Sequence, residues 1–161
     1  TEAYSQLPPT SRLWIYQSNR PFSEPETVAL RSATARFAES WASHNRSLRA
    51  YGDVLLDRFI VLLVDESQAD ASGCSIDKSV YFLKQVEREF GVDLFDRMNF
   101  AWLPSTRDEV RTANRDDFSR LYQTGEITNE TLVFDNLVQT KADFEKSWLK
   151  PLGKSWHKRI L

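Results

Sequence analysis

The chain has 161 residues, of which 27% are charged, and its 21 basic and 23 acidic residues give a formal net charge of -2. This length suits one domain, and the near-neutral balance disfavours a dedicated nucleic-acid binder, which usually has a basic surplus. The single cysteine, Cys74, excludes an internal disulfide and a cysteine-based zinc site. We expect a single domain over residues 1–161 with no metal and no cofactor.

The N-terminal residues 1–9 have neither a basic n-region nor an apolar h-region, so no secretion signal is visible. The longest apolar stretch, residues 59–64, is too short to cross a bilayer. We therefore expect a cytoplasmic protein.

Residues 1–10 are interpreted as an N-terminal arm. The stretch RLWIYQ at residues 12–17 is aromatic and β-branched, which predicts a first strand. Ser23 and Glu26 then form a capping-box pattern, which predicts a helix running to about Ser43. The apolar stripe of this helix consists of Leu30, Ala33, Phe37 and Trp41.

Residues 48–55 and 58–65 predict two strands around a tight turn near Leu56 and Asp57. The second of these strands contains the unbroken apolar run FIVLLV, which is typical of a central strand buried on both faces. Residues 75–90 predict a second helix, which Gly91 would end.

A fourth strand is predicted at residues 97–103, where Pro104 ends it. Shorter elements follow it. They are a strand at residues 109–112, a helix capped by Asn114, a strand at residues 131–134 and a helix starting at Thr140.

The order strand-helix-strand-strand-helix-strand predicts an α+β fold with a ferredoxin-like split βαβ core. This antiparallel-sheet core (βαββαβ) would occupy residues 11–104, with both helices on one face, and residues 105–161 would be a C-terminal α/β extension. We further expect the first and third strands to be central and parallel, so that their carboxyl ends meet at one edge.

Ligands tend to collect at such strand ends, and polar residues follow both strands. Gln17, Asn19 and Arg20 follow the first strand, and Asp65, Glu66, Asp70, Gly73, Cys74, Ser75 and Asp77 follow the third. We therefore expect these residues to form the ligand-binding site.

Cys74 is the candidate nucleophile, because a helix N-terminus favours a thiolate. Arg20 could anchor an anion, and His157 could serve as the base. The alternative, which we favour, is a small buried cysteine that packs the helix start, since free cysteine is among the most buried residue types.

The other polar groups also have two interpretations. The acidic residues after the third strand could hold a hard cation or form a solvated loop. Arg20 and Asn19 could bind a carboxylate or phosphate, or Arg20 could pair with Asp65 or Glu66. We favour the structural alternative in each case.

Asp135 and Asn136 interrupt the apolar run LVFDNLV. They form either a turn or a buried hydrogen-bonded feature, and we favour the turn.

The C-terminal residues 146–161 carry two interleaved rows, one of tryptophan and aliphatic residues and one of lysines. On an unbroken helix this pattern would allow contact with an anionic membrane surface. Pro151 and Gly153 interrupt it, however. We favour an irregular tail whose tryptophans pack on the domain while its lysines face water.

Several stretches resemble a family of small bacterial proteins of uncharacterised function, some of whose members carry the label "ABC transporter ATPase". They are RLWIYQSNRPF, ASGCSIDKSV, GVDLFDRM, TLVFDNLVQTK and PLGKSWHKRIL. The resemblance implies a cytoplasmic location and assigns no functional residue.

The ATPase label conflicts with the sequence. A P-loop requires Gly-x-x-x-x-Gly-Lys-Ser/Thr between a strand and a helix. The only Gly-Lys-Ser sequence starts at Gly153, and Trp148 stands where the first glycine should be. We do not expect an ABC-type ATPase.

Two hypotheses follow. The first, which we favour, is a non-catalytic domain that binds a small molecule or a protein. The second is a cysteine-dependent enzyme that uses Cys74.

Overall fold

The computed structural model describes residues 2–44, 49–66 and 73–161, and it describes the side chains of all of these except residues 2, 43, 44 and 73–75. Over these ranges the chain is an α+β protein with five α-helices and two antiparallel sheets. The helices are α1 (Glu2–Ser5), α2 (Glu24–His44), α3 (Gly73–Phe90), α4 (Arg115–Gln123) and α5 (Lys141–Ser147). The strands are β1 (Arg12–Gln17), β2 (Arg49–Leu55), β3 (Phe59–Asp65), β4 (Asn99–Leu103), β5 (Arg111–Asn114), β6 (Leu132–Phe134) and β7 (Leu149–Pro151).

The predicted helix starts are confirmed by their caps. At α2, the Ser23 amide donates to Glu26 Oε1 (2.9 Å) and the Glu26 amide donates to Ser23 Oγ (3.3 Å), which is the reciprocal capping box. At α4, Asn114 Oδ1 accepts from the Asp117 amide. At α5, Thr140 Oγ1 accepts from the amide three residues later in the same way.

The first sheet has the order β1-β3-β2, so β3 is its central strand. Every residue of β3 is buried, as the apolar run predicted. Alternate residues of β3 belong to two different core clusters. Ile60, Leu62 and Val64 pack with Leu30 and Trp41 of α2 and with Leu83 and Val86 of α3. Both helices therefore cover the same face, as expected.

The other face of the first sheet packs on the second sheet. Phe59 lies with its ring centroid 4.9 Å from that of Phe134 and 5.0 Å from that of Trp148. Val61 and Leu63 share this cluster with Ala101. Burial on both sides by separate layers explains why β3 carries no polar alternation.

The expectation that β1 and β3 run parallel is wrong. In the register, Arg12 lies opposite Val64 and Gln17 opposite Phe59, which is antiparallel pairing. The reason is the tight turn between β2 and β3, where Leu56 and Asp57 both have positive φ (55° and 53°). This turn reverses the chain, so β3 runs against β2. Strand β2 is parallel to β1, because α2 returns the chain between them, and β3 therefore also runs against β1.

The second sheet has the order β5-β4-β6-β7. The fourth strand therefore pairs with β5 and β6 and not with β1, and the ferredoxin-like arrangement is not confirmed. This sheet combines β4 with three strands from residues 105–161. The segment before β4 is held beside the end of β1, because the Asn19 amide donates to the Asp93 carbonyl (3.1 Å) and the Asp93 amide donates to Asn19 Oδ1 (2.8 Å).

The C-terminal residues 149–161 form β7 and two short 3-10 helices, not one continuous helix. Trp148 packs on Phe59, and Trp156 lies with its ring centroid 5.8 Å from that of Phe100. The expectation of a packed, irregular tail is confirmed for its tryptophans. Lys150 departs from it, because its ammonium group binds Asp135 (2.8 Å). None of the helices in the described ranges is both long and apolar enough to span a membrane.

Candidate functional site

The predicted strand-end residues lie at two opposite ends of the first sheet. Because β1 and β3 are antiparallel, Gln17 lies beside the start of β3, whereas Asp65 is the last residue of β3 and Glu66 follows it. Asn19 and Arg20 lie with Gln17 at the first end. The residues that follow β3 in the chain, Gly73, Cys74, Ser75 and Asp77, belong to the start of α3. The structure therefore does not bring the predicted site together at one edge.

Arg20 connects two helices at its end of the sheet. Its guanidinium donates to both carboxylate oxygens of Glu26 (2.9 Å each) and to the Phe90 carbonyl at the end of α3. The hydrogen bonds from Arg20 hold the pKa of Glu26 at about 2. The partner of Arg20 is thus Glu26, and not Asp65 or Glu66 as the ion-pair alternative proposed.

The acidic residues after β3 pair with other arginines. Arg49 Nε donates to Asp65 Oδ2 (3.1 Å), and Arg12 Nε lies 3.1 Å from Glu66 Oε1. Asp77 is exposed, and Asp70 lies outside the described residues. No group of three or more possible metal ligands occurs in the described part of the chain.

Cys74 lies in the first turn of α3, which begins at Gly73. The side chains of Cys74 and Ser75 lie outside the described residues, so the thiol remains a predicted nucleophile. The predicted base, His157, is buried in another part of the molecule, where its ring packs against Phe100 and Trp156. The helix α3 instead packs on the first sheet through Leu83.

A different site is present where β1 approaches β4, and we call it the inter-sheet cleft. It is a cavity of about 340 Å³, and two carboxamides on its wall, Gln17 and Asn136, belong to a chain of hydrogen bonds. Gln17 Nε2 donates to the Asn99 carbonyl (2.9 Å), Asn136 Nδ2 donates to Gln17 Oε1 (3.0 Å), and Trp148 Nε1 donates to Asn136 Oδ1 (2.9 Å). Its walls include Leu94, Phe100, Ala101, Phe134, Leu137, Trp156 and His157.

The two carboxamides of the cleft retain unused hydrogen-bonding capacity. A primary amide has two N–H donors and an oxygen that accepts two hydrogen bonds. Gln17 and Asn136 each use one donor and one acceptor position with described partners. Each can therefore donate and accept one further hydrogen bond in a cleft whose other walls are mainly apolar.

His157 adds an imidazole to the wall of the cleft. The side chain is 1% exposed, and its Nδ1 lies 2.6 Å from Ser155 Oγ. Burial lowers the pKa of His157 from 6.5 to about 4, with a smaller opposing effect of the Asp135 charge. The ring is therefore neutral at pH 7, and Nε2 is the nitrogen that remains for a further hydrogen bond.

Asp135 anchors the tail against the cleft. Its carboxylate accepts from Lys150 Nζ (2.8 Å), Trp156 Nε1 (2.8 Å) and the Leu137 amide (3.0 Å). Burial raises the pKa of Asp135, but these hydrogen bonds outweigh it and leave the pKa below its usual value. Both interpretations of the Asp135-Asn136 pair are confirmed, because the pair forms a turn and is also hydrogen-bonded in a largely buried setting.

The outer edge of β1 also faces this region. A second groove of about 430 Å³ runs along β1 and shares Ile15, Arg97, Asn136 and Leu137 with the inter-sheet cleft. The Leu13 amide donates outward to the Gln139 carbonyl (3.0 Å), whereas the Ser18 amide donates to Arg58 on the β3 side (2.8 Å). Since backbone groups alternate along an antiparallel strand, the N–H and C=O of Ile15 point outward like those of Leu13.

These two groups of Ile15 have no hydrogen-bond partner among the described residues. Ile15 is only 3% exposed, and more than nine in ten buried backbone groups in folded proteins are paired. At Ile15, between Leu13 and Gln17, the edge of β1 can therefore form hydrogen bonds with one more partner.

Of the cleft residues, sequence reasoning selected Gln17 and His157, but for a different site. The Asp135-Asn136 interruption of an apolar run was the signal for the other carboxamide. The open edge at Ile15 had no sequence signal, because Ile15 reads as an ordinary strand residue.

Comparison with known proteins adds no assignment. No protein-family model matches the chain, and no curated protein or solved structure is significantly similar to it.

Proposed function

We propose that this chain is a non-catalytic binding domain whose ligand occupies the inter-sheet cleft. The observation that carries the proposal is the unused hydrogen-bonding capacity of Gln17, Asn136 and Ile15 within one mainly apolar cavity. Ligand sites typically combine apolar and aromatic walls with a few convergent polar groups. The earlier candidates Asn19, Arg20, Asp65 and Glu66 already have protein partners.

The groups in the cleft favour a small ligand with hydrogen-bond acceptors and a flat apolar body. The carboxamides and the Ile15 amide supply donors at neighbouring positions, while Phe100, Phe134 and Trp156 supply aromatic surface. A hydrolytic reaction needs a nucleophile beside a base. Ser155 and His157 are hydrogen-bonded to each other, but both are buried and Ser155 does not line the cleft, so a ligand there would not reach the hydroxyl. Binding without chemistry is therefore the function these residues support best.

The proposal is tested by two-dimensional ¹⁵N–¹H NMR with benzamide and benzoate as probes. We expect saturable shifts of the side-chain amide signals of Gln17 and Asn136 and of the backbone amide of Ile15. Gln17→Leu should remove these shifts, whereas Gln123→Leu, an exposed position on α4, should keep them. Shifts that never saturate or that lie elsewhere on the protein would overturn the proposal.

Because Gln17 also bridges to Asn99, its replacement can weaken the fold. Ala101→Val is therefore a second variant, since it narrows the cleft at a residue that is 1% exposed and removes no side-chain hydrogen bond. We expect the variant to reduce the affinity for benzamide several-fold while its circular dichroism spectrum stays unchanged.

We also propose that the protein is a bacterial cytoplasmic member of the family it resembles, and that residues 11–104 form a core related to the ferredoxin-like arrangement. The order β1-β3-β2 and the two helices on one face support that relation, and the separate pairing of β4 is the departure from it. The partner would be a small molecule or a protein, not a nucleic acid. Contact of residues 146–161 with a membrane surface is not favoured, because Trp148 and Trp156 pack inward.

The second candidate, a cysteine-dependent enzyme, is favoured by one observation, the place of Cys74 in the first turn of an 18-residue helix. A helix N-terminus lowers the pKa of a thiol. The rate of Cys74 alkylation by iodoacetamide should then reach half its maximum below the free-thiol value of about 8.5. A midpoint at or above that value would remove this candidate.

A further inference from the structure

We infer that the inter-sheet cleft binds the C-terminal end of an extended peptide, with one peptide residue paired to Ile15 and the terminal carboxylate beside Arg97. This inference rests on the proposed function and names the ligand class for the same site. Three observations carry it: the open strand edge, the hydrogen bonds that close both ends of that edge, and a cation at its rim that has no ion pair within the described ranges.

The outward backbone groups of β1 at Ile15 match the hydrogen-bonding pattern of a peptide. The outward N–H and C=O of Ile15 are spaced as in any strand, so one residue of an added antiparallel strand can satisfy both of them. Ile15 also lines both the cleft and the neighbouring groove. A peptide residue paired to Ile15 would therefore lie where the two spaces meet.

Hydrogen bonds on either side of Ile15 limit the length of the open edge. They favour the end of a peptide as the ligand over a continuous strand. At one end the Leu13 amide bonds the Gln139 carbonyl (3.0 Å). At the other end the Gln17 carboxamide reaches across to Asn99 (2.9 Å). A long strand would have to break one of these hydrogen bonds, whereas the terminal residues of a peptide fit between them.

The positive charge of Arg97 at the rim of the cleft favours the carboxyl end of the peptide. Arg97 is exposed, lines both spaces, and forms no ion pair or hydrogen bond with any residue in the described ranges. Its neighbour Asp96 is the one carboxylate on the wall of the cleft, and one of its oxygens already accepts from the Met98 amide (2.9 Å). A terminal carboxylate would pair with Arg97 through charge-assisted hydrogen bonds.

The apolar walls then indicate the last side chain. Leu94, Phe100 and Phe134 are each no more than 3% exposed and line the cleft. A terminal residue with a branched apolar side chain would bury it among them. The two carboxamides would bind the peptide group before it.

The experiment is an NMR titration of the full chain with three synthetic tripeptides. They are acetyl-Ala-Ala-Leu with a free carboxylate, the same peptide as its C-terminal amide, and Ala-Ala-Leu amide with a free amino terminus. We expect the free acid to bind about tenfold tighter than either amide, because a hydrogen bond to a charged group is stronger than a neutral one. Equal affinities of acid and amide, or tighter binding of the free amine, would overturn the inference.

Two further measurements distinguish the contribution of the Arg97 charge from that of backbone pairing to Ile15. Arg97→Gln should bring the affinity of the free acid down to that of the amide, and Arg36→Gln, an exposed arginine on α2, should leave the tenfold ratio unchanged. N-methylation at one of the two inner peptide groups should weaken binding about tenfold, because it removes the donor to Ile15. If neither N-methyl peptide loses affinity, pairing to β1 is wrong.

Failure of this inference is distinguishable from failure of the proposed function. If benzamide shifts the Gln17 and Asn136 signals but no tripeptide does, the cleft remains a ligand site and the peptide assignment is wrong. If neither kind of probe shifts them, both proposals are wrong.

Discussion

His157 shows how a single buried residue makes the protein sensitive to acid. Its ring is enclosed by Phe100, Phe118 and Trp156, and among the described residues it forms one hydrogen bond, which is to Ser155. These neighbours pack well against a neutral ring but do not replace the water that a charged imidazolium would lose. For this reason the pKa lies at about 4 in the folded chain.

This pKa predicts a loss of stability on mild acidification. Well above the unfolded pKa of about 6.5, His157 is neutral in both states and its protonation does not change the free energy of unfolding. As the pH falls from 6.5 to 4, the unfolded chain binds a proton that the folded chain does not, so the free energy of unfolding falls. Between pH 7 and pH 5 we expect a loss of about 2 kcal/mol from this residue, measured by urea unfolding.

The matched variant for this measurement is His157→Phe, which keeps an aromatic ring in the same space. Between pH 7 and pH 5 the variant should lose about 2 kcal/mol less of its free energy of unfolding than the unchanged protein loses. An equal pH dependence in both proteins would show that His157 has the same pKa in the folded and the unfolded chain.

At the residue scale, sequence patterns predicted what depends on near neighbours in the chain. The capping residues Ser23, Asn114 and Thr140 act on amides three positions away, so a local pattern was sufficient to find them. The carboxamide bridge from Gln17 to Asn136 joins residues 119 positions apart. Nothing local marks either residue as the partner of the other.

At the scale of elements, the contact between α2 and β2 depends on the absence of one side chain. A Cβ atom at Gly52 would lie 2.6 Å from Thr34 Cγ2 and 3.1 Å from the Thr34 carbonyl oxygen. Thr34 is fully buried, so it has no free space into which to move. Glycine at this position therefore sets how closely the helix approaches the sheet.

We predict that Gly52→Ala destabilises the fold by about 1–3 kcal/mol, the usual effect of overpacking a core. Thr34→Ser removes the Cγ2 atom that the new methyl group would meet. The free energy of unfolding of the double variant should therefore be higher, by about 1 kcal/mol or more, than the value obtained by adding the effects of Gly52→Ala and Thr34→Ser. Urea unfolding of all four proteins measures this coupling, and simple additivity would contradict the steric explanation.

The pairing of β4 was the element that sequence reasoning predicted wrongly. Its apolar content predicts a strand but does not say which strand lies beside it. In the structure, hydrogen bonds from β5 and β6 occupy both of its edges, and the segment before it is tied to Asn19. These are long-range contacts, so the order of elements along the chain could not reveal them.

At the scale of the whole molecule, the described residues form three successive layers, namely α2 with α3, the first sheet and the second sheet, and α4 packs on the second sheet through Phe118. The layers share side chains, because residues of β3 belong to the core on both of its sides. Arg58 reinforces the contact between the two sheets, since it donates to the Ser18 carbonyl (3.2 Å) and to Thr112 Oγ1 (2.9 Å). One layer cannot unfold without exposing the core of the next.

We therefore predict that the two sheets unfold together. Labelling with 5-fluorotryptophan places one reporter in α2, at Trp41, and one in the tail, at Trp156. The native ¹⁹F signals of both should disappear at the same urea concentration, as a two-state transition requires. Loss of the Trp156 signal at a lower concentration would show that the second sheet unfolds separately.

The closed ends of the Ile15 edge have a consequence for solubility. An open strand edge is a template on which other chains can pair and aggregate. Here the edge lies at the bottom of a cleft, between the Leu13 contact with Gln139 and the Gln17 bridge to Asn99, so a strand from another molecule has no room to extend along it. The Gln17 bridge thus limits the pairing of a strand from another molecule to the single position at Ile15.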